Sequence, residues 1–256
     1  MNLLNISIIM SCSRLCDYCP VSEWLVPVDN QFHNTLSVAP YPFDGNNCIN
    51  NEVLLEWLDK YVDPEDFIIE ITGGEPALYK EINALIPALS DRGYYGMIKT
   101  NGDIPLPKSE KIQRIVSWHT WREKCPENYD RILIIRNPHD DWRVKVRHCK
   151  EHNIPYGTSL FDDYRMTGVS VDRRLEKTTH FLNLIHINNQ GQVIDCPKHE
   201  PDFHKSIFHD TPPALKPLNG YCRYCGVAVD VETFLPDFLK EKVKTDYVSK
   251  GNAYGL

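Results

Sequence analysis

Short runs of apolar and β-branched residues recur along the amino-terminal part of the chain, at 5–10 (NISIIM), 67–72 (FIIEIT), 95–100 (YGMIKT), 114–118 (RIVSW), 131–136 (RILIIR) and 156–161 (YGTSLF). Their length and composition predict six buried strands. Between some of them the apolar spacing switches to that of a helix. Val53, Leu54, Trp57, Leu58 and Tyr61 share one face, Ile82, Leu85, Ile86 and Leu89 a second, and Trp142, Val146 and Cys149 a third. Asn50 or Asn51, and Asp140 or Asp141, are placed to cap two of these helices. Pro87 is predicted to bend or break the middle one.

Strands that alternate with helices predict a parallel sheet, because parallel neighbours need a long crossover that packs back onto the sheet. Six such units are too few to close an eight-stranded barrel, so the expected fold is α/β, a partial (β/α)6 TIM-like barrel or an open doubly wound sheet. Both gather chemistry at the carboxyl ends of the strands. Beyond residue 165 the pattern changes. Leu182 to Ile187 and Gln192 to Cys196 flank a turn containing Asn188, Asn189 and Gly191, which reads as a β-hairpin. Residues 197–220 are rich in Pro and His, and a last helix is expected around 231–243. The chain thus divides into a core at 1–165 and a small hairpin-and-helix extension at 166–256, without repeats or low-complexity tracts.

The 256 residues are 42% hydrophobic and 25% charged, the composition of a globular protein. A net charge of -7 and a pI near 5.8 argue against a wide basic surface for nucleic acid. No run approaches the roughly 20 apolar residues that span a bilayer, and the amino terminus lacks a basic start and a small-residue cleavage site. A cytoplasmic protein with no membrane partner is expected. Nine cysteines, an odd number gathered largely in two clusters, suit metal ligation better than a disulfide framework.

The first cluster, Cys12, Cys16 and Cys19, follows directly on the first strand. Thiolates at these short spacings can converge on zinc or on an iron-sulfur cluster, and three of them on a four-iron cluster leave one iron open to a ligand. A zinc knuckle would need a fourth ligand nearby. Gly73, Gly74, Glu75 and Pro76 end the second strand. The glycines let backbone approach a polar group closely, and the plainer reading is a turn with Pro76 opening a helix. Thr100 and Asn101 end the third strand, with Gly102 supplying a positive φ in a turn.

Together these segments resemble the radical S-adenosylmethionine (SAM) superfamily: CSRLCDYC is similar to its CxxxCxφC signature, with Tyr18 as the aromatic, TGGEP to its GGEP motif and KTNG to its TNG segment. The resemblance covers about residues 5–161, and 180–226 more loosely. It implies a SAM-binding 4Fe-4S cluster on Cys12, Cys16 and Cys19, and reductive cleavage of SAM to a 5'-deoxyadenosyl radical that abstracts hydrogen from a substrate. It also implies that Gly73, Gly74, Glu75 and Pro76 hold the SAM amino group, that Tyr18 sits beside the adenine, and that Thr100 and Asn101 approach SAM. Ser117, Arg136 and Ser159, with His119, fall at later strand ends where contacts to SAM's carboxylate and ribose are made, and Arg136 has the geometry for a carboxylate. Cys125, in a loop after the fourth strand, is a candidate catalytic hydrogen donor or ligand.

Cys196, after the hairpin, and Cys222 and Cys225 form the second cluster. A hairpin ending in cysteine and followed by CxxC resembles the twitch or SPASM extension, which implies an auxiliary 4Fe-4S cluster; structural zinc is the alternative. Thr178, Thr179 and His180 stand where many such extensions have a fourth cysteine, so either one iron is open or a residue such as His180 completes the site. Asp195, His199, His204 and His209 are other candidates for that ligand. Cys149 is most simply a small buried hydrophobe, and Cys48 sits in a Pro- and Asn-rich segment suited to a lid. The expected enzyme is a metal-binding radical SAM oxidoreductase or maturase acting on a small molecule or a peptide. Its reaction would be dehydrogenation or cross-linking, its reductant a flavodoxin or ferredoxin. A redox-neutral epimerase or heterocycle rearrangement, or a non-catalytic zinc-binding module, are the alternatives.

Overall fold

The computed structural model describes residues 2–14, 26–27, 49–119, 122–136, 140–160, 179–180, 184–188, 191–194, 207, 212 and 246–247. Its centre is one eight-stranded sheet. The strands are β1 (Asn2–Ile9), β2 (Phe67–Gly73), β3 (Tyr95–Thr100), β4 (Ile112–Trp118), β5 (Arg131–Arg136), β6 (Tyr156–Leu160), β7 (Leu184–Ile187) and β8 (Val193–Ile194). They lie side by side in the order β8-β7-β1-β2-β3-β4-β5-β6. Every pairing from β7 through β6 is parallel, and only the β7–β8 pair is antiparallel. The fold is therefore α/β with a mostly parallel, open sheet.

Helices α1 (Asn51–Tyr61), α2 (Ile82–Asp91) and α3 (Trp142–Glu151) form three of the crossovers. Asn50 caps α1, its side-chain oxygen accepting from the backbone N–H of Glu52 at 2.9 Å and of Val53 at 3.2 Å. Asp141 precedes α3 but makes no capping bond; the carboxylate of its neighbour Asp140 accepts from Lys145 instead, at 2.5 Å. Pro87 does not break α2. It lies on the exposed face of the helix, as does Asn83 one turn earlier, so the carbonyl that loses its partner faces water.

Two crossovers depart from the expected alternation. The path from β3 to β4 contains no helix, and neither do the described residues between β4 and β5. Both segments are rich in polar residues and lack any helical apolar period, so nothing there could bury a helix face. The hairpin forms as expected, closed by Gly191 at φ 72 and by the Asn188 side chain, which accepts from the Gln192 N–H at 2.9 Å. Its first strand, β7, extends the main sheet alongside β1. The helix expected at 231–243 lies outside the described residues.

The two faces of the sheet differ. Leu4, Ile6 and Ile8 of β1, Ile69 and Ile71 of β2, Ile98 of β3 and Ile185 and Ile187 of β7 join the apolar sides of α1 and α2 in one buried cluster. Each such side chain contributes about 1.5–3 kcal/mol on leaving water, which is what docks the helices. Val116, Trp118, Ile132 and Ile134 make a second cluster with Cys149 of α3.

Residues of the other parity form the opposite face, because register partners share a side of the sheet. Asn5 stands beside Glu70 on one side and His186 on the other, Ser7 beside Thr72, and Lys99 beside Ile115, itself next to Arg131. A parallel sheet is ordinarily apolar on both faces. This one carries polar side chains on four adjacent strands, His186 of β7, Asn5 and Ser7 of β1, Glu70 and Thr72 of β2 and Lys99 of β3. No helix among the described residues is long and apolar enough to cross a membrane.

Candidate active site at the carboxyl ends of the strands

β1 delivers Cys12 to the end of the sheet where β2 and β3 also finish. The turn after β2 is bound to this exit: the N–H of Gly74 donates to Ile9 O at 2.7 Å and that of Glu75 to Ser11 O at 2.8 Å. Gly73 makes the approach feasible. Its φ of 129° is in the region L side chains avoid, and a Cβ there would lie 2.2 Å from Ile9 O. The glycine pair brings the turn against the cysteine-bearing strand itself.

Glu75 is 1% exposed. Its Oε1 accepts from the Thr100 hydroxyl at 2.6 Å and from the Ala77 N–H at 3.0 Å, and its Oε2 accepts from the Asn101 N–H at 2.6 Å. Burial raises its carboxyl above the ordinary range, and the hydrogen bonds from Thr100, Asn101 and Ala77 work against that rise. The family resemblance implies that this segment holds the SAM amino group. In the structure the carboxylate is turned inward and clamps the end of β2 to the end of β3.

A second layer of contacts ties β3 to the cysteine loop. The Asn101 amide donates to Ser13 Oγ at 3.0 Å, and its oxygen accepts from the Asp103 N–H at 2.9 Å. Asp103 accepts from the Ser13 hydroxyl at 3.1 Å and from Arg14 Nε at 2.8 Å. Arg122, beyond β4, reaches the same carboxylate at 3.3 Å and Asn101 O at 3.0 Å. Residues far apart in the chain, at 9–14, 73–77, 100–103 and 122, thus form one continuous network. Gly102 turns the chain at φ 77, as the sequence predicts.

Cys12 is partly exposed, is not in a disulfide, and its sulfur accepts from the Arg14 N–H at 3.4 Å. A solvent-reachable thiol at a strand end, with a backbone donor already aimed at its sulfur, fits the thiolate donor set of an iron-sulfur cluster. Tyr18, Cys16, Cys19, Cys48, Cys196, Cys222 and Cys225 lie outside the described residues, and His180 is placed by its backbone alone. Arg136 is the last residue of β5 and Ser159 the next-to-last of β6, again placed by their backbone alone.

Ser117 occupies the polar face near the end of β4, in register with Leu133. His119 follows it, its carbonyl held by Lys145 Nζ at 3.0 Å. Cys125 packs instead with the Trp118 and Cys149 cluster on the α3 side, and its thiol is raised by burial and by Glu127. Its thiol donates to Pro126 O at 3.6 Å.

A buried polar group on the opposite face of the sheet belongs to none of the motif segments. Glu70 is 3% exposed, receives the Asn5 amide at 2.5 Å and pairs with Lys99 at 2.5 Å. Burial alone would raise its carboxyl, but the Lys99 ammonium and the hydrogen bonds from Lys99 and Asn5 outweigh it and hold Glu70 below the ordinary range. His186 is 5% exposed, with Nε2 3.4 Å from Ser7 Oγ. The signal was present in FIIEIT, where one carboxylate interrupts an otherwise apolar buried strand.

Burial pushes His186 down to about 4 from an ordinary 6.5, against the pull of Glu70. The unfolded chain takes up this proton first as pH falls. The stability that the neutral imidazole contributes is therefore complete above 6.5 and lost as pH drops toward 4. Between pH 6.5 and 4.5 one such group removes about 2–3 kcal/mol. His119, lowered to about 4 chiefly by burial, acts with the same sign. Urea unfolding of His186→Gln should show a pH slope shallower by one group's share; an unchanged slope would mean that His186 is protonated as easily folded as unfolded.

No family model matches the chain. A segment of 55 residues is 38% identical to the 7-carboxy-7-deazaguanine synthase of Methanocaldococcus jannaschii, covering 21% of this chain and 23% of that protein. The match thus spans less than a quarter of that relative. Among solved structures, SuiB of Streptococcus suis bound to S-adenosylmethionine is 12% identical, with a TM-score of 0.44 over 80% of this chain and 63% of that one. QueE from Escherichia coli is 15% identical, with a TM-score of 0.40 over 60% of this chain and 84% of that one.

Proposed function

We propose that the chain is a radical SAM enzyme. What supports the reading above all is the convergence of three separate motif segments, the Cys12 loop, the Gly73 to Pro76 turn and the Thr100 to Gly102 turn, in one hydrogen-bonded network at the carboxyl end of a parallel sheet. Such sheets bind ligands at this end. Cys12, Cys16 and Cys19 would hold a 4Fe-4S cluster, which when bound supplies the electron that cleaves SAM and so generates the 5'-deoxyadenosyl radical. The sheet would curve as a partial (β/α)6 barrel, with SAM and substrate lying over its polar face.

The residues of the chain have three tasks in this reading. Glu75, Thr100 and Asn101 fix the rim without offering the Glu75 carboxylate to solvent. Asn5, Ser7, Glu70, Thr72, Lys99 and His186 provide a preorganised polar floor, one charge pair with neutral donors and acceptors around it, suited to a polar substrate. Ser117 and the ends of β5 and β6 complete the wall. Cys196, Cys222 and Cys225, with His180, would carry an auxiliary cluster in a twitch-like extension over residues 166–256, able to accept an electron from an oxidised substrate.

We favour a small polar molecule over a peptide, since the relative that shares the 55-residue segment is named for making a carboxylated deazaguanine. The heterocyclic product in that name favours, as a second reading, rearrangement of a heterocycle in place of dehydrogenation. The deciding experiment is anaerobic reconstitution with iron and sulfide, reduction, and incubation with SAM. A brown protein that forms 5'-deoxyadenosine is expected. A colourless protein that carries only zinc and leaves SAM intact would replace this reading with a structural zinc module.

A further inference from the structure

Asp103 belongs to none of the motif segments, yet its carboxylate accepts four hydrogen bonds, against three on Glu75. Its Oδ2 accepts from the Ser13 hydroxyl at 3.1 Å and from Arg14 Nε at 2.8 Å; its Oδ1 accepts from Arg14 Nη2 at 3.1 Å and from Arg122 Nη2 at 3.3 Å. Three of these four bonds come from the two residues that follow Cys12. The carboxylate is itself fixed, since the Asp103 N–H donates to the Asn101 side chain and the Asn101 amide donates to Ser13 Oγ. Ser13 therefore accepts from Asn101 and donates to Asp103, which sets the direction of the whole chain of bonds.

We propose that Asp103 is a positioning residue that holds the Arg14 N–H on the Cys12 sulfur and thereby sets the reduction potential of the cluster bound there. The proposal rests on the iron-sulfur reading above. The fork-to-fork pairing of Arg14 with Asp103 constrains both the guanidinium plane and the backbone that carries it. That backbone N–H lies 3.4 Å from Cys12 Sγ. A hydrogen bond to a ligating sulfur stabilises the more negative, reduced cluster, and such bonds are among the levers that set cluster potentials. Loosening the clamp while keeping its charge removes that stabilisation, so the midpoint potential falls.

Two charge-conserving variants isolate this effect. Asp103→Glu moves the carboxylate by one methylene and cannot keep the Ser13 and Arg14 bonds together; Ser13→Ala deletes one anchor. Cluster midpoint potentials are read by redox titration followed by electron paramagnetic resonance, without SAM turnover. Both variants should bind iron and sulfide in the wild-type ratio and titrate at a more negative potential, Asp103→Glu by the larger shift. Cys149→Ala, remote from the loop, serves as the control and should titrate with the wild type. If Asp103→Glu does not fold, Ser13→Ala alone decides. Unchanged midpoints in the folded variants overturn the role of Asp103 while leaving the cluster in place, whereas a wild-type protein that takes up no iron and sulfide overturns the cluster itself.

Discussion

Replacing Cys12 by alanine is expected to abolish 5'-deoxyadenosine formation while leaving the unfolding midpoint close to that of the wild type. The two halves of this expectation have separate causes. A 4Fe-4S cluster held by three thiolates has no spare protein ligand, and removal of one leaves two sulfurs to hold four irons. The cofactor would be lost or bound in the wrong form. The Cys12 sulfur, in contrast, is partly exposed and lies outside the buried apolar clusters that hold the fold together. Cys149 supplies the opposite case. It is fully buried between α3 and the sheet, so Cys149→Ala should lower stability by about 1–2 kcal/mol and leave SAM cleavage intact. The measurements are iron content, product formation and chemical denaturation on the same preparations. Cleavage at an undiminished rate by Cys12→Ala would remove the cluster from the account of this site.

The parts of this molecule that the sequence makes legible are those governed by local period and by motif spacing. FIIEIT and RILIIR announce themselves as strands because a buried parallel strand is apolar on nearly every residue. The Asn50 cap, the Gly102 turn and the hairpin around Gly191 follow from residue chemistry alone. Direction was harder to read. Nothing local says that Glu75 points into the protein, since that depends on Thr100 and Asn101 arriving from another strand. The polar floor was hidden for the same reason: Asn5, Glu70 and His186 sit on three strands distant in sequence, and only the register of β7, β1 and β2 makes them neighbours. The missing crossover helices were visible in principle as segments without a helical apolar period, which the expectation of regular alternation passed over.

Glu75→Ala should cost about 3–6 kcal/mol, because it strands three buried donors at once, the Thr100 hydroxyl and the N–H groups of Ala77 and Asn101, and each unsatisfied donor costs about 1–3 kcal/mol. Glu75→Gln should cost less. Its remaining oxygen can still accept from Thr100 and Ala77, its NH2 meets the Asn101 N–H donor to donor, and the desolvation that raises the Glu75 carboxyl is relieved in a neutral side chain. The ordering wild type, Gln, Ala in denaturant midpoint is therefore the signature of an internal clamp. A residue that acted by touching SAM would order differently: Glu75→Gln would weaken SAM binding while leaving the unfolding midpoint unchanged. Measuring both quantities on both variants separates the two roles, and a nearly neutral Glu75→Ala in denaturation would show that the ends of β2 and β3 are held together by something other than this carboxylate.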